Sequence, residues 1–185
     1  MPRLFFGLPI PPAAAERITM IQGGIRGARW EPPEKLHLTV HFVGEVDGGT
    51  ARRIIDGFAD FSAPAFDLVL RGVGYFPPRN VARSLWVGAA RSDALSALHR
   101  RVLARADALG LRRDRRAFTP HVTIARLRDA DMREVGSFVV AHATFELPPF
   151  RVRELVLYRS VLGKRGSHYR HEAAFPLAPP ADPPD

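Results

Sequence analysis

Cysteine is absent, which excludes disulfides, thiolate catalysis and cysteine-ligated zinc, and fits a reducing compartment. Lysine is nearly absent: Lys35 and Lys164 stand alone, so the formal net charge of +8 comes almost wholly from arginine. Long hydrophobic runs are missing too. No stretch approaches the roughly 20 apolar residues of a membrane helix. The apolar run at residues 4–10 is cut by Pro9, so it reads as a first strand rather than a leader peptide. A cytoplasmic protein with no membrane partner is expected.

What the 185 residues do contain is 46% hydrophobic side chains, enough to bury one core. The positive charge suits a phosphate-rich partner, because each neutralised phosphate releases counterions. A compositional preference for Arg, Ala, Pro and Gly accounts for it equally well. Within this chain one short pattern occurs twice, as His37-Leu38-Thr39-Val40 and as His121-Val122-Thr123-Ile124. Both alternate as a β-strand does: Leu38, Val40 and Phe42 face one way, His37, Thr39 and His41 the other, and Val122 and Ile124 oppose His121 and Thr123. Each copy presents an imidazole and a hydroxyl on one strand face, about 7 Å apart along the backbone. Imidazole gives or takes a proton near neutral pH, and a hydroxyl donates to an anionic oxygen. Two such pairs across a groove supply one general base, one general acid and two donors for a single phosphate. That set meets the needs of in-line phosphodiester hydrolysis where no metal takes over the work.

The rest of the chain reads as scaffold. Residues 3–8 form a strand, Pro11 and Pro12 open a helix carrying Ile18, Ile21 and Ile25, and Trp30-Glu31-Pro32-Pro33 is a loop into the first motif. A helix after Asp47 buries Ile54, Ile55, Phe58 and Phe61. Residues 65–76 and 82–90 form a hairpin around the turn at 77–80. Ser92 caps a helix that turns Leu95, Leu98, Val102 and Leu109 inward and ends at Gly110. Asp129 caps another, with Met132, Val135, Phe138 and Val139 on one face; strands follow at 144–147, 152–160 and 168–177. The order of elements before residue 76 recurs after residue 82, with the motifs 84 positions apart (121 minus 37). Two similar α+β lobes are expected, their antiparallel sheets lining a central cleft and their helices outside. Residues 1–178 are expected to form one bilobal domain, followed by a flexible tail at 179–185.

The two tetrads and their flanks resemble the two-histidine (2H) phosphoesterases, and within them the LigT-like RNA 2′,3′-cyclic phosphodiesterases. The resemblance lies in Arg3-Leu4-Phe5-Phe6-Gly7-Leu8, in His37-Leu38-Thr39-Val40 with Phe42-Val43-Gly44-Glu45, and in Arg116, Phe118 and Pro120-His121-Val122-Thr123-Ile124-Ala125-Arg126. Leu157-Tyr158, Ser160, Gly166, Tyr169 and Phe175-Pro176-Leu177 extend it to the end of the chain. It implies a bilobal fold with pseudo-twofold symmetry and metal-independent opening of a terminal RNA 2′,3′-cyclic phosphate to a 2′-phosphate, with no cofactor. Carried over, His121 is the proton acceptor, His37 the proton donor, and Thr39 and Thr123 hold the non-bridging oxygens. The pseudo-symmetry lets the two roles exchange. The implied partner is an RNA end bearing a cyclic phosphate, tRNA fragments and nucleotides included, acted on by a monomer.

Further residues surround this set. His41 shares the face of His37. Arg126 has the opposite parity to His121, so it reaches the phosphate only where the strand ends or twists. Arg116, in the arginine-rich stretch 112–116 beside the second motif, is placed to contact an RNA backbone. Phe42 points to the core by parity, and Tyr158 and Tyr169 are better placed to border the cleft. A zinc site from His37, His41 and His121 is the competing chemistry, but it leaves both threonines unexplained; no metal is expected. His168 and His171 read as surface residues. Within the same chemistry, 2′–5′ oligonucleotides, small cyclic nucleotides and the reverse 2′–5′ ligation remain open. A non-catalytic module that binds RNA ends is the alternative from another class.

Overall fold

Prolines decide how the chain begins. A computed structural model describes residues 1–76, 82–112, 117–163 and 166–178. In it β1 (Arg3–Pro9) runs into Pro11 and Pro12, and Pro12 opens α1 (Pro12–Thr19), where its missing N–H costs no helical bond. The helix stops short of Ile21 and Ile25, because Gly23 and Gly24 turn the chain with φ of 151° and 73°. Ile25 is buried from the following loop instead. A short β2 (Ala28–Trp30) replaces the start of the expected loop, and a 3₁₀ turn at Pro33–Lys35 leads into the first motif strand, β3 (His37–Glu45).

Local capping then fixes the helices. The Asp47 carboxylate accepts from the Thr50 N–H at 2.8 Å and starts α2 (Gly48–Gly57). Ser92 does the same for α3 (Asp93–Ala108), its Oγ accepting from Leu95 N–H at 3.1 Å. For α4 (Met132–Ala141) the cap is Asp131 rather than Asp129, which instead turns the chain with φ of 53°. The run expected at 65–76 is divided into β4 (Phe66–Leu68) and β5 (Leu70–Phe76), and β5 pairs with β6 (Ser84–Ala89) as the expected hairpin. The second motif strand is β7 (His121–Leu127), followed by β8 (Phe150–Val152), β9 (Glu154–Gly163) and β10 (Gly166–Pro176). The strand expected at 144–147 is reduced to one isolated bridge, Arg71 to Glu146. The turn at 77–80, residues 113–116 with Arg116, and the tail at 179–185 lie outside the described residues.

The large sheet has the antiparallel order β10-β9-β1-β3-β7-β6-β5, with β2 also on β7, and β4 and β8 form a small second sheet. β3 and β7 meet at one pair only, Leu38 with Val122. The two expected sheets are therefore the halves of one, joined at that pair. The motif offset of 84 also relates α2 to α4 (132 minus 48), β4 to β8 (150 minus 66) and β5 to β9 (154 minus 70). Leu38 and Val122 are themselves 84 apart, as are the paired Asp67 and Arg151, whose side chains stand 3.4 Å apart. Both pairs thus sit on the pseudo-twofold axis. The halves interlock: β5, ending the first, pairs with β6 of the second, and its counterpart β9 pairs with β1 of the first.

One sheet face is buried by helices. Leu4, Phe6, Leu8, Leu38, Val122, Ile124 and Leu157 join Ile18, Ile54, Leu98 and Val135 of the four helices in the core, and Phe6 lies 4.3 Å from Phe58, which caps α2. Phe5, Val156 and Tyr158 form a separate small cluster with Phe42 and Tyr169 against it. That second face holds the motif histidines.

Candidate active site

A repeated irregularity aims the site. β1 pairs with β3 as Phe6–His41 and then Gly7–Thr39, so Val40 is an extra residue in β3. β6 pairs with β7 as Leu85–Ala125 and then Trp86–Thr123, so Ile124 is the extra residue in β7. Each is a β-bulge, and beyond a bulge the in–out alternation reverses. Arg126 therefore returns to the face of His121 and lines the cleft, which simple parity denied it. Phe42, assigned to the core by parity, returns in the same way, packs beside the Phe5 cluster and lies under the Arg3 guanidinium at 4.9 Å. His41 moves oppositely: at 3% exposure it borders the cleft near His99, whose pKa is lowered by burial first and then by the charges of His41 and Arg100.

A cleft of about 680 Å³ gathers His37, Thr39, His121, Thr123, Arg126 and Tyr169. His37 Nδ1 donates to the Lys35 carbonyl at 2.7 Å and His121 Nδ1 to the Thr119 carbonyl at 2.6 Å. A carbonyl oxygen only accepts, so each ring carries its fixed proton on Nδ1, and Nε2 is the atom that exchanges protons. The two contacts are equivalent under the pseudo-twofold axis, two residues upstream in each case.

The surroundings are not equivalent. The His37 ring lies 4.8 Å from Phe5, 4.8 Å from Tyr169 and 5.6 Å from Tyr158. His121 has Phe76 at 4.7 Å and Trp86 at 6.4 Å. Gly74 is the counterpart of Tyr158 (158 minus 74), and a Cβ there would stand 2.4 Å from the Trp86 ring. Glycine is what lets the indole lie across that strand. Tyr158, 5% exposed, backs the His37 ring, and burial raises its pKa and that of Tyr169, so both hydroxyls keep their protons. Glu31, 8% exposed, stands 3.7 Å from Arg126 Nε.

Burial pushes His37 down to about 4; the Lys35 carbonyl opposes the shift, and the charges of Arg126 and His121 add to it. An NMR titration of the ring is expected to show a midpoint near 4, and a midpoint at the ordinary 6.5 would overturn the assignment. Arg126→Gln is expected to raise that midpoint, since it removes a positive neighbour. The unfolded chain binds this proton near pH 6.5 and the folded one only near 4, so acidification through that window favours unfolding, by up to about 3 kcal/mol. Above 6.5 both forms are neutral at this ring and the effect vanishes.

Sequence reasoning gave no role to Glu31, Lys35 and His99 and named Phe118 only within the resemblance, and all four line the cleft. His99 stacks on Phe118 with ring centroids 3.9 Å apart; the only local signal was the position of Phe118 three residues before the second tetrad. His168 and His171 of β10 are both exposed, His171 with its ring edge-on to Tyr158. Among the described residues no three His, Asp or Glu side chains are placed to share a metal ion, and no helix is long and apolar enough to cross a membrane.

Residues 10–164 match the 2′-5′ RNA ligase superfamily. The chain belongs to that superfamily. Among members similar to it, a Geobacillus stearothermophilus protein named RNA 2′,3′-cyclic phosphodiesterase is 32% identical over 183 residues, covering 94% of this chain and 56% of that protein. The chain thus spans little more than half of that longer relative. A superfamily relative of the same name from Archaeoglobus fulgidus is 28% identical over 176 residues, covering 94% of this chain and 99% of its own length. Among solved structures, a Thermus thermophilus protein shares the fold with a TM-score of 0.79 at 23% identity, covering 97% and 100% of the two chains. E. coli LigT, solved in complex with 3′-AMP, superposes with a TM-score of 0.73 at 26% identity, covering 96% and 99%.

Proposed function

We propose that this superfamily member is an RNA 2′,3′-cyclic phosphodiesterase, opening a terminal cyclic phosphate to a 2′-phosphate with two histidines and no metal. The observation that carries the reading is the pair of equivalent Nδ1–H contacts, which hold two imidazoles of one cleft in the same tautomer. Relatives named for this activity along their whole length support it. Water attacks phosphorus as one Nε2 takes its proton. The P–O3′ bond breaks, and the other ring, as imidazolium, gives its Nε2 proton to the departing 3′-oxygen. Thr39 and Thr123 donate to the two non-bridging oxygens, where negative charge grows in the transition state.

By resemblance His121 takes the water proton and His37 supplies the leaving-group proton. Burial leaves His37 neutral at pH 7, so donation from it depends on the substrate's phosphate anion drawing a proton onto the ring. The same shift favours a second reading, with His37 as the base and His121 as the acid. A substrate with a phenolate leaving group, which needs no acid, separates the two: it recovers turnover in the alanine variant of the acid and not in that of the base. An RNA oligomer ending in a 2′,3′-cyclic phosphate, incubated with the protein in excess EDTA, is expected to yield a 2′-phosphate. A 3′-phosphate would overturn the cleavage of P–O3′, and loss of turnover on chelation would sink the metal-free mechanism.

A further inference from the structure

Arg29 of β2 and Arg126 of β7 are direct partners in the antiparallel ladder. Side chains so opposed leave the same face of the sheet, and like charges there repel. Glu31 offsets part of that repulsion at 3.7 Å from Arg126 Nε. Tyr169 is within electrostatic reach of Glu31, Arg126 and Arg29; Glu31, Arg126 and Tyr169 line the cleft, and Arg29 stands beside them across the ladder from Arg126. Among the described residues of the lining, Lys35 and Arg126 outnumber the one carboxylate, Glu31, and Arg29 adds a further cation beside them. Arg126 is within electrostatic reach of His37. Arg29 is exposed and sits across from Arg126, a step of about 4.8 Å, on the edge of β7 that β3 leaves after the Leu38–Val122 pair, three residues along β7 from Thr123. An anion shared by the two guanidinium groups would therefore lie outside the position of the reacting phosphate but adjacent to it.

Resting on the cyclic phosphodiesterase reading, we propose that Arg29, together with Arg126, holds the phosphodiester immediately upstream of the cyclic end, so that the site selects an RNA strand over a mononucleotide. The chemistry of the two groups is matched, since a phosphodiester is a monoanion with two free oxygens and a guanidinium presents a planar fork to them. In a single strand the upstream phosphate is the next anion along the backbone, and a mononucleotide lacks it.

The test compares an RNA pentamer ending in a 2′,3′-cyclic phosphate with a nucleoside 2′,3′-cyclic phosphate, for wild type, Arg29→Ala and Arg29→Lys. Arg29→Ala is expected to lower kcat/KM on the pentamer roughly ten- to hundredfold, chiefly through KM, and to leave the mononucleotide within about twofold. Arg29→Lys recovers part of the loss. The slope of log(kcat/KM) against log salt on the pentamer becomes shallower by roughly 0.7. Equal losses on both substrates, or no loss on either, would overturn the assignment. If the wild type turns over neither substrate, the hydrolytic reading fails alone. Fluorescence anisotropy with a labelled pentamer ending in a 2′-phosphate then decides the Arg29 contact: weaker binding with a shallower salt slope in Arg29→Ala upholds it, and unchanged binding rejects it.

Discussion

Alanine at His37 or at His121 is expected to cut kcat for cyclic phosphate opening by roughly 10²–10⁴-fold, because in the proposed mechanism each ring performs one of the two proton transfers. The measurement is single-turnover conversion of an RNA 2′,3′-cyclic end in excess chelator. The double variant is expected to lose little more than the worse single one, since acid and base serve one transition state and their losses do not add. The two replacements differ in their cost to the fold. His37 is half-buried among Phe5, Tyr158 and Tyr169, so truncation leaves a void; His37→Gln fills more of it and separates lost chemistry from lost packing. His121 has fewer ring neighbours and serves as the cleaner test. An activity within tenfold of wild type in His121→Ala would remove that ring from the reaction.

Most features set locally were legible in the sequence. The alternation at His37 and His121 identified both motif strands, and the side chains of Asp47 and Ser92 marked their helix starts, because a cap is decided within a few residues. Features set by pairing between distant strands were not legible. Whether Val40 or Ile124 is an extra residue depends on β1 and β6, from outside either motif, so parity counting misplaced Phe42 and Arg126 and put His41 on the wrong side. The single junction at Leu38 and Val122 is also a long-range product, as is the exchange of terminal strands that interlocks the halves. Asp129 and Asp131 show a finer limit: both can cap, and only the turn at Asp129 decides between them. The site was therefore readable at its centre, where histidine and threonine lie ahead of the bulge. Beyond the bulge it was not.

Thr39→Val and Thr123→Val are expected to lower kcat by about 10²–10³-fold each while leaving the fold intact. Valine has the volume and β-branching of threonine, so strand propensity and packing persist and only the hydroxyl is lost. Both threonines line the cleft and are half-buried on the histidine faces of β3 and β7, at equivalent positions about the pseudo-twofold axis. If their hydroxyls bind the non-bridging oxygens, the contact strengthens as charge accumulates there, and the loss falls on kcat more than on KM. Serine restores the hydroxyl without the methyl group, so Thr39→Ser and Thr123→Ser are expected to stay within about tenfold of wild type. The competing account is that threonine is present only because it suits a strand. On that account valine, the better strand former, keeps full activity, and kcat of the two valine variants with thermal melting as the control distinguishes the cases. Full activity in both would leave the phosphate without its side-chain donors and would transfer that role to Arg126, whose return to the same face the bulge in β7 secures.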